Sequence, residues 1–104
     1  MAEQSNSYRY FDLLAVDETN YLDDSGDGYY VADFGFLSDG LILSNQSSTS
    51  GEIIQFSFDG TTTHGELDPD QPTAALAYNT RREYRVYFKL KTAGSAVTVH
   101  VEAW

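Results

Sequence analysis

The sequence contains no cysteine. That removes a disulfide framework and any thiolate zinc site, and it leaves the redox compartment unread. Only two prolines occur, both in Asp68-Pro69-Asp70-Gln71-Pro72. Elsewhere no candidate strand is broken by a missing backbone N–H. Basic residues are absent over a long stretch. From Asp12 to Asp70 there are thirteen carboxylates and no lysine or arginine, and the net charge is −10. Phosphate neutralisation dominates nucleic-acid affinity, so this balance argues against such a partner. No apolar run approaches the ~20 residues of a membrane-spanning helix. Residues Met1 to Ser7 have neither a basic region nor an apolar run, so no signal peptide is expected there. Long helical periodicity is missing too.

What is present is alternation. The 104 residues suit one domain. Short segments with a period of two recur between turn signals, at residues 8–16, 29–34, 41–44, 52–58, 61–67, 73–78, 81–91 and 96–104. Residues 1–7 read as a flexible N-terminal arm, and 8–104 as one sandwich domain. The fold class expected is all-β, a single antiparallel β-sandwich of about eight strands, wound as a jelly roll. The first segment, Tyr8 to Val16, is apolar almost throughout, which predicts cover on both faces. Gly35 predicts a bend. Asp59-Gly60 predicts a two-residue turn, with Phe56 opposite Thr63 and Gln55 opposite His64.

The closing stretch gives the sharpest expectation. Both arms of 81–104 alternate, and Thr92-Ala93-Gly94-Ser95 lies between them. Folded as a hairpin, Leu90 meets Val97, Phe88 meets Val99, Val86 meets Val101 and Tyr84 meets Ala103. On the other face Lys89 meets Thr98, Tyr87 meets His100 and Arg85 meets Glu102. Apolar then faces apolar, and a cation faces an anion.

Catalytic chemistry is not expected. There is no G-x-S-x-G elbow, no glycine-rich loop opening a helix, and no second histidine at metal spacing from His64 or His100. Asp23-Asp24-Ser25-Gly26-Asp27-Gly28 opens like a calcium loop, with Asp23, Ser25 and Asp27 as candidate ligands. The pattern fails at position twelve, which is Phe34 rather than glutamate. A solvated acidic turn is the plainer expectation, and no cofactor is expected. Five of the six cations lie on one arm. Arginine and tyrosine are enriched at interfaces. Arg81, Arg82, Arg85, Tyr87 and Lys89 are therefore the candidate partner-binding residues, with the N-terminal arm as a second contact.

Several segments resemble a known group. Phe56-Ser57-Phe58-Asp59-Gly60, then His64-Gly65, then Asn79-Thr80-Arg81-Arg82 leading into Tyr87-Phe88-Lys89, and the ending Val99-His100-Val101-Glu102-Ala103-Trp104, look like small virion proteins of tailed bacteriophages. The resemblance covers residues 52–104 and its motifs are structural. It implies a β-sandwich or jelly-roll subunit, non-enzymatic, present in many copies on a phage particle. The implied role is capsid decoration, or cement. The implied partners are the major capsid protein or other virion proteins, with a homo-oligomer, dimer or trimer, on a virion assembled in the host cytoplasm. Neither nucleic acid nor membrane is an expected partner. A tail, neck or fibre component is the alternative within that group. A carbohydrate-binding module, which would need a concave tyrosine-lined face, is the alternative from another class.

Overall fold

The computed structural model describes residues 9–104. The arm expected over residues 1–7 lies outside the described residues. Eight strands follow: β1 (Tyr10–Val16), β2 (Val31–Asp33), β3 (Leu41–Asn45), β4 (Ile54–Ser57), β5 (Gly65–Leu67), β6 (Ala75–Tyr78), β7 (Arg85–Leu90) and β8 (Val97–Ala103). A 3-10 turn, Pro72–Ala74, leads into β6. Proline suits that first position because its missing N–H would have no partner there.

The strands form two antiparallel four-stranded sheets, in the orders β1-β8-β3-β6 and β2-β7-β4-β5. They pack together as a β-sandwich, as the alternation predicts. The pairing is nested: β1 lies beside β8, β2 beside β7, β3 beside β6 and β4 beside β5. Contacts of β8 with β3 and of β7 with β4 complete the sheets.

The core comes from alternate residues of both sheets. Val97, Val99, Val101 and Ala103 of β8 and Leu41 and Leu43 of β3 face Ile54 and Phe56 of β4 and Val86, Phe88 and Leu90 of β7. All are essentially sealed from water. Burying a side chain of this size contributes ~1.5–3 kcal/mol, so these positions carry much of the fold.

The hairpin expected over 81–104 does not form. β7 pairs with β2 and β4, whereas β8 pairs with β1 and β3 in the other sheet. The segment between them, residues 91–96, crosses from one layer to the other. Phe88 and Val99 both remain on the core, as the alternation requires, but they reach it from opposite sheets. Two amphipathic strands can bury their apolar sides edge to edge or face to face. Periodicity is the same in both cases. Consequently Arg85 does not meet Glu102, and Tyr87 does not meet His100. The polar sides of β7 and β8 point out of the molecule in opposite directions.

The Asp59-Gly60 turn is also wider than expected. Phe56 lies opposite Gly65 and Gln55 opposite Glu66, two residues further along than a tight turn requires. The Asp59 carboxylate gathers the loop instead. Its Oδ1 accepts the N–H groups of Thr61 (2.9 Å) and Thr62 (2.8 Å), and the hydroxyl of Ser57 at 2.9 Å. Those bonds, Thr62 foremost, hold its carboxyl below the usual range. Gly60 takes φ 85°. Gly65 then lies flat against the Phe56 ring. A Cβ at this position would stand 2.5 Å from Phe56 Cζ. The ring is fully buried and cannot swing aside cheaply. Gly65→Ala is expected to cost about 1–3 kcal/mol, read as a lower denaturant midpoint at unchanged slope. Wild-type stability in that variant would show that the ring yields.

One buried polar group ties the layers. Asn45 ends β3 on the core side and is 6% exposed. Its Nδ2 donates to the carbonyls of Glu52 (2.7 Å) and Leu67 (2.9 Å), and its Oδ1 accepts the Ser47 N–H at 2.9 Å. Leu67 belongs to β5 of the opposite sheet. The side chain therefore closes one end of the sandwich where carbonyls would otherwise lie unpaired.

Candidate interaction surfaces

The outward residues of β7 are Arg85, Tyr87 and Lys89, three of the five candidates. Each has an in-chain partner. Arg85 Nη2 lies 3.3 Å from Asp33 Oδ2 on neighbouring β2. A hydrogen bond with Tyr87, followed by the Asp33 charge, raises its pKa further. Lys89 Nζ sits 4.9 Å over the Tyr21 ring. Tyr87 is half-buried because the loop of residues 17–30 folds over it. Cβ atoms built on Gly28 and Gly60 would approach its ring to 3.0 and 3.4 Å.

That loop is anchored at both ends and in the middle. The N–H of Leu90 bonds the Glu18 carbonyl at 2.7 Å, and that of Phe88 bonds the Tyr30 carbonyl at 2.8 Å. Tyr21, buried, lies 2.7 Å from Thr63 Oγ1 through its hydroxyl. Tyr30 hydrogen-bonds Asp17.

The other two candidates precede β7. Arg81 Nε lies 2.7 Å from Glu83 Oε2, its guanidinium stacks 4.2 Å over the Phe58 ring, and its carbonyl accepts the Ser38 hydroxyl. It is built into the fold. Arg82 is exposed, 3.9 Å from Asp39. The cations that cluster in sequence are thus distributed in space, each against an acid or a ring. Exposed ion pairs of this kind are worth about 0–1 kcal/mol each, so a partner carboxylate can compete for them.

The acidic loop closes on itself. Asp23 Oδ1 accepts the N–H groups of Ser25 (3.0 Å) and Asp27 (2.9 Å) and the Ser25 hydroxyl at 2.8 Å. The Ser25 hydroxyl first, then the Asp27 N–H, lower its pKa. Gly26 turns the chain at φ 90°. Among the described residues, no group of three or more His, Cys, Asp or Glu side chains converges as a metal site would. His64 is exposed, its Nδ1 accepting the Phe58 N–H at 3.0 Å and its ring against Phe58. His100 belongs to the opposite sheet.

The outer face of that sheet was not singled out by the sequence. The first segment was expected to be covered on both sides, yet Phe11 is 63% and Leu13 53% exposed. Registers place the outward residues in rows across the strands. One row runs Phe11, Glu102, Ile42, Ala77, and the next runs Leu13, His100, Ser44, Ala75. The single carboxylate in these rows, Glu102, lies 3.0 Å from His100 Nε2, within ion-pair distance but not aligned for a hydrogen bond. Phe11 packs over His100 with centroids 4.8 Å apart. The face is bulky at the β1 edge and shallow at the β6 edge. The alternation in β1 carried a signal for it, since apolar residues stand at both parities, but read alone it suggested burial.

Neither a family model nor a curated protein matches this chain.

Proposed function

We propose that this protein is a non-enzymatic structural subunit of a phage virion, a capsid decoration protein that acts through protein–protein contacts. The observation that carries the reading is the contrast between the two broad faces of the sandwich. One sheet presents ion-paired residues and a folded-over loop. The other presents a charge-poor surface with Phe11 and Leu13 bare, on a chain of net charge −10. Exposed apolar area rimmed by polar surface marks an interaction site. The nested strand pairing supports a jelly-roll winding, and the resemblance of residues 52–104 supplies the virion setting.

Attachment would use the cation-bearing side, where Arg82, Arg85 and Lys89 exchange their present partners for carboxylates of a shell protein. Many such weak contacts on one particle make attachment effectively permanent. The expected result is that serine at all three positions abolishes attachment while far-UV circular dichroism and thermal unfolding stay native-like. Unchanged attachment removes this site. Quantitative mass spectrometry of purified particles tests the reading itself. Many copies per particle support decoration, a handful marks a tail, neck or fibre part, and absence from particles overturns it.

A further inference from the structure

We infer that the outer face of the β1-β8-β3-β6 sheet is the interface with a second copy of this chain, packed face to face about a two-fold axis parallel to the strands. The inference rests on the reading of this protein as a contact-forming subunit, but not on its being part of a virion.

The relief of the face is self-complementary. In the two rows that all four strands share, the bulky residues Phe11 and Leu13 lie at the β1 edge and the small Ala77 and Ala75 at the β6 edge; beyond them β1 presents Ala15. An axis running between β8 and β3 carries β1 of one copy onto β6 of the next. Because the axis is parallel to the strands, rows stay in register. Phe11 of each copy then lies over Ala77 of the other, and Leu13 over Ala75. Each contact occurs twice, as an isologous interface demands.

Charge selects the same face. Sixteen carboxylates against six cations make two copies repel on approach. The two rows shared by all four strands bring one carboxylate, and the two-fold places Glu102 of one copy over Ile42 of the other rather than over its own equivalent.

The area suits a modest dimer. Strands of seven, seven, five and four residues (β1, β8, β3 and β6), ~4.8 Å apart at ~3.3 Å per residue, cover about 360 Å². Side-chain relief raises the accessible area toward ~500 Å² per copy, the range of weak, reversible contacts. Dissociation in the micromolar range is expected.

Sedimentation of the full chain over a roughly hundredfold concentration range tests this. The wild type should pass from monomer to dimer. Leu13→Asp and Ala75→Lys should each weaken self-association at least about tenfold, with thermal unfolding confirming that each is folded. Both side chains already stand outside the core. Mixing the two variants should restore a dimer, because the introduced carboxylate of one copy would then lie over the introduced ammonium of the other. A wild type that stays monomeric throughout overturns the inference, even if the face then binds another protein. So does a dimer that neither variant weakens. Variants that weaken it without restoration on mixing overturn the two-fold register. Mass spectrometry of particles can fail independently of all three.

Discussion

Asn45→Asp is expected to destabilise the protein by about 3–5 kcal/mol at neutral pH, the scale of an uncompensated buried charge. The amide now donates to two carbonyls, at 2.7 and 2.9 Å. A carboxylate would aim negative oxygen at both. The folded state would therefore raise the pKa of this aspartate above its unfolded value of about 3.9. The sign of the pH dependence follows. With the folded pKa raised, the folded state binds more protons, and the variant is most stable below about pH 4. Stability then falls as pH rises through that value toward the folded pKa, by up to about 1.4 kcal/mol per pH unit. Even the protonated acid can donate to only one of the two carbonyls, so it does not recover the wild type. Asn45→Ala leaves the same two carbonyls without a donor, at about 1–3 kcal/mol each, so its cost should be comparable at neutral pH, but it should show no added pH dependence. Urea unfolding of both variants at acid and neutral pH makes the comparison. An aspartate variant whose deficit is the same at both would mean that the carbonyls turn away to water.

Phe56→Ala is expected to cost about 3–5 kcal/mol, the range for removing a buried aromatic. Against a total stability of about 5–15 kcal/mol, that loss brings the protein close to unfolding. Phe56 is sealed from water on β4, edge-on to Phe58 at 5.6 Å and to Tyr78 at 6.5 Å. Tyr78 lies in the opposite sheet, so the ring joins the two layers. A second feature makes the prediction sharper. Gly65→Ala is costly because its methyl would collide with this ring. In a Phe56→Ala background the collision disappears, and the same methyl partly fills the space vacated. The double variant should therefore be no less stable than Phe56→Ala alone. A double-mutant cycle reads the difference as a coupling energy, the double variant costing less than the sum of the two single costs. Additive costs would mean that Gly65 is required for its backbone and not for the ring.

The sequence is informative where the physics is local and misleading where a distant segment decides. Eight strands were legible because each short apolar alternation lies between turn residues. Val99 and Phe88 were correctly assigned to the core. Their neighbours were not. The pairing of 81–91 with 96–104 satisfied every local rule, yet each arm found better partners in other parts of the chain. Tyr87 shows the same limit in the candidate site. Its parity sends it outward, but no local pattern reveals that residues 17–30 fold across it. Arg81 reads as a surface cation and is held in the fold by Glu83 and Phe58. Phe11 and Leu13 err in the opposite sense, read as covered and found bare.

The amino-acid order by itself determined where the strands lie, which side of each turns inward, and that the fold is a sandwich. Side-chain parity along an extended chain is a property of neighbouring residues, and burial of the apolar parity follows from it. Only the tertiary structure decided which strand lies beside which, and which outer face is clothed by a loop and which stands open. Both depend on contacts between segments tens of residues apart, where several arrangements bury the same side chains and the whole chain must choose among them.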